Sequence, residues 1–189
     1  EALRRSDSAD MAFDVKKADR QINKYEREVR RNVLTHLSIA GTQNVVPGLV
    51  LVSIVIDVER IGDYTKNIVE LALHHPTKLQ CGPFEKSVRK IETTVKTMFE
   101  LLIQSFPEND ESKAREVMSE HWWIARRGDE IMNALIETEE PVLPCREAVT
   151  TALYVRFLKR TSAHLMNIAS SVVNPFDRIG FRGDETDDD

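Results

Sequence analysis

The stretch Ile56-Asp57-Val58-Glu59-Arg60-Ile61-Gly62-Asp63-Tyr64-Thr65-Lys66-Asn67-Ile68 decides the fold. It continues an apolar run that starts at Val45, and Ile61, Tyr64, Ile68 and Leu71 recur at three- and four-residue intervals, which predicts a helix. That helix should begin near Pro47, a residue tolerated in a first turn, and run to His74-His75 ahead of Pro76. The β-branched residues between Leu49 and Ile56 would also suit a buried strand, but the helical spacing runs on without a break through Ile61 and Ile68. Glu59 and Asp63 lie four residues apart on one helix face, with Cβ atoms roughly 5–6 Å from each other, and two carboxylates so placed repel unless a cation neutralises them. The cation is either a metal ion or a basic side chain, for which Arg60, Lys66 and Arg27 are available.

Helical periodicity extends in both directions from this segment. Upstream, Val15, Ala18, Ile22, Tyr25, Val29, Val33 and Leu37 mark an amphipathic helix from Val15 to Ala40, ended by Gly41. Downstream, the Pro- and Gly-containing segment Thr77 to Pro83 is the best boundary between two halves. A third helix follows from Phe84 to Phe106 and breaks at Pro107. A fourth runs through Ala114, His121, Gly128 and Leu135, and a last one from about Arg146 to Val173 is closed by Asn174-Pro175. The paired His74 and His75 read as partners of a helix C-terminus, and Trp122-Trp123 as core and rim packing.

The segment from Val58 to Ile68 can be laid over Leu158 to Ile168 at a constant offset, matching Arg60 with Arg160, Asn67 with Asn167 and Ile68 with Ile168. Each segment closes one half of the chain after a long helix, which makes duplication of a three-helix unit a reasonable reading. The acids are absent from the second copy, where Lys159 and Ala163 stand at the positions of Glu59 and Asp63.

Composition agrees with an all-α chain. The 189 residues are 41% apolar and 30% charged, with seven Gly, seven Pro and 6% aromatics, too few turn formers for a many-stranded protein. The net charge of −5 comes mostly from five acids in Asp184 to Asp189, and the near-neutral body has no basic domain to grip nucleic acid. The basic clusters Arg27 to Arg31 and Arg156 to Arg160 sit in amphipathic patterns, where a solvated face explains them. Cys81 and Cys145 form no metal-binding spacing, which favours a reducing, cytoplasmic compartment, and no signal peptide or transmembrane stretch is visible. There is no phosphate-binding Gly-rich loop, no Gly-x-Ser-x-Gly and no His-Glu-x-x-His, so no catalytic set is implied. Ferritin-like bundles need Glu-x-x-His motifs, which are missing.

The residues resemble the PhoU-domain family of phosphate-uptake regulators. The resemblance rests on Lys17-Ala18-Asp19-Arg20-Gln21-Ile22-Asn23 and Val29-Arg30-Arg31, on Asp57-Val58-Glu59-Arg60-Ile61-Gly62-Asp63 followed by Asn67-Ile68, and on Lys159-Arg160 through Asn174-Pro175-Phe176-Asp177-Arg178-Ile179-Gly180-Phe181. It implies two similar three-helix bundles, six helices in all. The first would occupy residues 1–76, its opening helix short or truncated, and the second 84–181, with an acidic tail at 182–189. It also implies a surface metal site formed by paired acidic motifs on adjacent helices: Glu59 and Asp63 match one motif, and Asp19 and Asn23 fall where its partner would be, with Asn in place of a carboxylate. The metal would be iron, zinc, magnesium or manganese, and oxygen donors suit the harder ions. The implied role is a non-enzymatic regulator of phosphate transport and signalling. Its partners would be phosphate ABC transporter or sensor kinase components, it would reach the membrane only through them, and a homodimer is allowed. The rival readings are a metal-binding bundle with an iron-storage or metal-dependent hydrolytic role, and a structural module attached to a membrane phosphate transporter.

Overall fold

The computed structural model describes residue 3, residues 8–75 and residues 77–181, with backbone alone for residues 8–13 and 40–42. Five α-helices make up most of it: α1 (Ser8–Ala40), α2 (Val45–His74), α3 (Glu85–Glu108), α4 (Glu111–Glu137) and α5 (Cys145–Val173). Short 3-10 turns at Gly41–Asn44, Gly82–Phe84 and Phe176–Arg178 adjoin them, and there is no strand among the described residues. The all-α expectation holds, including for Val45 to Ile56, where the apolar run lies wholly in α2. The number of helices does not. Five are present among the described residues instead of six, because the weakly apolar start assigned to a short opening helix becomes, from Ser8 onward, the beginning of α1. Nothing between Ser8 and Val15 interrupts a helix, since neither Pro nor Gly occurs there. Residues 1, 2 and 4–7, and the acidic tail 182–189, lie outside the described residues.

The helix ends follow local chemistry. The Asp110 side chain accepts a hydrogen bond from Lys113 N at 3.1 Å and caps α4. Asn109, in the left-handed region at φ 52, ends α3. Pro107 falls in the last turn of α3 without stopping it, two residues later than the sequence suggested, because its rigid φ is helical.

α3, α4 and α5 pack on one another, α1 packs on α2, and α2 joins the two groups by packing on α5. The short α3–α4 and α4–α5 connections make neighbours antiparallel, so α3 runs parallel to α5, with Tyr154 donating to Glu92 across them at 2.8 Å. Most of the deeply buried side chains lie within the trio: Val88, Ile91 and Met98 of α3, Val117 and Ile124 of α4, Val155 and Leu165 of α5. Each large apolar side chain so buried contributes roughly 1.5–3 kcal/mol. None of the described side chains of α1 is buried.

Two glycines let α1 and α2 come close. A Cβ on Gly62 would meet Ile22 Cδ1 at 3.1 Å, and one on Gly48 would meet Val33 Cγ1 at 3.1 Å. At the far end of α2, His75 does more than complement a helix terminus: its Nε2 lies 3.2 Å from Glu147 Oε2 of α5, so it ties the two helices together.

The sequence repeat is visible in the α2/α5 crossing. Positions 64 and 164 meet there, Tyr64 stacking on His164 with centroids 5.7 Å apart and planes at 24°. Asp57 Oδ1 sits 2.7 Å from His164 Nδ1, while Phe157, one hundred residues on from Asp57, packs against Tyr64 at 6.1 Å. The two contacts join the same pair of positions with the helices exchanged, as a local two-fold axis through the stack requires.

Candidate functional site

The four residues expected to hold a metal lie at the α1/α2 seam. Lys66 Nζ, one turn beyond Asp63, donates to Asp63 Oδ1 at 2.8 Å and lies 3.4 Å from Asp19 Oδ1, bridging the helices. Arg60 adds weaker attraction, 3.8 Å from Glu59 and 3.9 Å from Asp63. Asn23 turns its amide back along α1 and donates to the Asp19 carbonyl at 2.9 Å. The seam therefore brings Asp19 and Asp63 together around an ammonium group and directs Asn23 elsewhere.

The electrostatics match this geometry. Burial, and then the Asp63 carboxylate, push the Glu59 carboxyl above its ordinary value; Arg60 opposes them, and Glu26 and Asp19 across the seam add smaller upward pushes. Lys66 is raised above the usual lysine value, first by its hydrogen bond to Asp63, in spite of burial. Among the described residues no three His, Cys, Asp or Glu side chains gather in an arrangement that holds a metal ion. The donor set does not fit a metal as it stands, because Lys66 takes the place between the Asp19 and Asp63 oxygens and the Asn23 amide is committed to backbone.

The equivalent seam between α4 and α5 also holds a lysine. Lys159, at the position of Glu59, donates to both Asp129 oxygens, at 2.6 and 2.7 Å. Beside it His121 Nδ1 and Ser162 Oγ are 2.9 Å apart, with Ser162 Oγ donating to the Lys159 carbonyl at 2.8 Å. The serine hydroxyl is thus directed to a backbone carbonyl of its own helix. Burial, then the Lys159 charge, lower His121 to about 4, so it is a neutral core residue at pH 7.

The polar cluster at the centre of the molecule is one that reading the residues singly misses. Asp57 Oδ1 accepts from Asn167 Nδ2 at 2.9 Å as well as contacting His164, and Arg160 Nε donates to the Tyr64 hydroxyl at 3.1 Å. The signal for it was the constant offset of the repeat, which makes residues 64 and 164 partners once α2 and α5 are crossed on an axis. Trp123 packs against the core under the ammonium of Lys90 at 4.4 Å, and Trp122 tilts on His121 at the rim.

A family model described as the PhoU domain matches residues 1–72 and 88–172. Among solved structures the fold is similar to the crystal structure of PhoU from Pseudomonas aeruginosa, with a TM-score of 0.77 and 24% identity, over 91% of this chain and 83% of that one. No curated protein matches the chain. The helical architecture, the duplicated α2 and α5 and the match over most of its length lead to one conclusion: this chain belongs to the PhoU domain family.

Proposed function

We propose that this protein is a non-enzymatic, cytoplasmic regulator of phosphate transport and phosphate signalling that works through contacts with transporter or kinase components. The observation that supports this reading is membership of the PhoU domain family across both parts of the chain. Agreeing with it, no helix of the described residues is long and apolar enough to cross a membrane, and the Ser162 hydroxyl beside His121 is directed to the Lys159 carbonyl. Deleting the gene tests the reading: phosphate uptake or phosphate-responsive expression should change, and unchanged responses at both high and low phosphate would refute it. Turnover of a phosphoester by the purified protein, lost in Glu59→Ala, would favour the hydrolytic reading instead.

The acidic seam has a defined part in this proposal. Lys66 supplies the cation that Asp19 and Asp63 share, a tethered ammonium in place of a bound metal, while Arg60 lies beside Glu59. Elemental analysis of protein purified without added metal, beside a Lys66→Met variant, tests it. Stoichiometric iron, zinc or manganese in the wild type, lost in Glu59→Ala/Asp63→Ala, would restore the metal site expected from the resemblance.

A further inference from the structure

Serines along the helices turn their hydroxyls back on their own backbone: Ser38, Ser53 and Ser119 donate to the carbonyls of Leu34, Leu49 and Glu116 at 2.8, 2.9 and 2.9 Å. Ser87 is engaged differently. Its Oγ accepts from two nitrogens of one arginine on the neighbouring helix, Arg127 Nε at 3.1 Å and Nη2 at 2.6 Å. The contact ties the first turn of α3 to α4. Nε and Nη2 form the edge of a guanidinium that holds two oxygens of a carboxylate or phosphate side by side, so a single neutral hydroxyl leaves the fork half used. Arg127 Nη1 is held by Glu130 at 2.5 Å, which keeps that edge turned towards Ser87.

The surroundings favour added negative charge. Lys86 precedes Ser87, Arg89 and Lys90 follow it, and the Lys90 ammonium lies 4.4 Å over Trp123, one turn from Arg127 on α4. The acids close by are already paired, Glu85 with Arg89 at 2.8 Å and with the Cys81 N–H at 3.1 Å, Glu130 with Arg127. Ser87 is half-buried and the Arg127 side chain is 42% exposed, so a group added to Oγ has room and the guanidinium can swing outwards to meet it. Phe84 gives the first turn of α3 no side-chain cap, and the positive end of the helix dipole adds to the same preference.

We propose that Ser87 is a phosphorylation site and that Arg127 holds the resulting phosphoserine, clamping α3 to α4. The modifying enzyme is a protein serine kinase using a nucleoside triphosphate and accepting basic residues on both sides of the serine. Ser87 Oγ attacks the γ-phosphorus and a new O–P bond forms, while the bond from the γ-phosphorus to the bridging oxygen breaks. The nucleoside diphosphate leaves with that electron pair, and the hydroxyl proton passes to the base of the kinase. Opening of the first turn of α3, next to the 3-10 turn Gly82–Phe84, presents the hydroxyl on extended chain. The inference stands on the Ser87–Arg127 contact and does not depend on the phosphate-regulator reading.

Two measurements test it. Peptide mapping by mass spectrometry of the protein isolated from the cells that make it, with phosphatases inhibited, should find phosphoserine at position 87. Its absence from both growing and starved cells overturns the proposal. Full-length protein given phosphoserine at 87 by amber-codon incorporation should melt about 2–4 °C above the unmodified protein, the scale of new charge-assisted hydrogen bonds in a chain of this length. Arg127→Met should abolish that gain; because modified and unmodified protein are compared in the same background, the cost of losing the arginine itself cancels. Phosphoserine at 119, beside Glu116 and Glu120, should give no gain. A lower melting temperature with phosphoserine at 87, a gain that survives Arg127→Met, or an equal gain at 119 overturns the proposal.

Discussion

The α1/α2 and α4/α5 seams place the same backbone crossing under different chemistry. Where Ile22 fills the space beside Gly62, His121 meets Ser162; where α2 carries Glu59, α5 carries Lys159. The first seam joins its helices by close approach of a glycine and by charges around Lys66, and it is open to solvent on one side. The second is covered by α3 where His121, Val117 and Ile124 lie, and its charged pair Lys159–Asp129 stays partly exposed at the edge. The difference teaches that a duplicated unit can keep its packing geometry while the degree of cover decides which side chains it can hold. A charged carboxylate cluster is tolerable beside water, and a histidine beneath a third helix is held neutral.

The largest test of this contrast is truncation at paired positions. Leu158→Ala should cost about 2–5 kcal/mol in denaturant unfolding and Val58→Ala less than about 1 kcal/mol, since only the first leaves a cavity. Equal losses at the two sites would mean that α1/α2 is covered in solution.

Next in size is the pH dependence of the covered seam. His121 falls from an ordinary 6.5 in the unfolded chain to about 4 when folded, so between those values the unfolded state binds more protons and stability drops as the solution is acidified. The loss from pH 7 to pH 4 should approach about 3 kcal/mol at most from this group, and His121→Asn should flatten that part of the profile. An unchanged profile in the variant would show that His121 stays protonated or reaches solvent.

Breaking the lysine bridges should be less costly. Lys66→Met leaves Asp19 and Asp63 without their shared ammonium in a partly covered seam, a loss of about 1–2 kcal/mol. Lys159→Met should cost under about 1 kcal/mol, because Asp129 is half exposed and water replaces the partner. The reverse order would assign the stronger bridge to the second seam.

The smallest effect is a gain. Glu59 has a folded-state value above its unfolded one, so the folded protein binds more protons and stability declines as pH rises past the ordinary carboxylate range. Glu59→Gln removes that decline and should stabilise the protein at pH 7 by roughly 0.2–0.5 kcal/mol, the scale of a like-charge pair one turn apart. A loss in a thermal melt would show that Glu59 is held by an attraction stronger than its repulsions.

Much of the fold was legible because the apolar spacing of α2 through α5 is regular and Pro or Gly punctuates the chain between them. The opening of α1 was not, since Ser8 to Phe13 lacks a strong apolar stripe and its helicity follows from continuity with Val15 onward. In the seam, the sequence placed Asp19 beside Glu59 and Asp63 and named Lys66 among the available cations, and it did not show that Lys66 bridges Asp19 and Asp63. That bridge depends on the reach of one lysine across two helices, which spacing along α2 does not reveal. The Asp57–His164 contact was beyond reach for a further reason, as it joins residues more than a hundred positions apart through a crossing angle.

The arrangement in which α1 rests on α2, and α2 in turn on α5, also orders the molecule in time. Amide hydrogens of α1 are shielded from solvent deuterium mainly by their own helix and one neighbour, so fraying and detachment of the α1/α2 pair expose them without disturbing α3, α4 and α5. Amides beneath Val155 and Ile124 exchange only when the whole trio opens. The protein should therefore lose its protection in two waves, with the Tyr64–His164 stack marking the line between them.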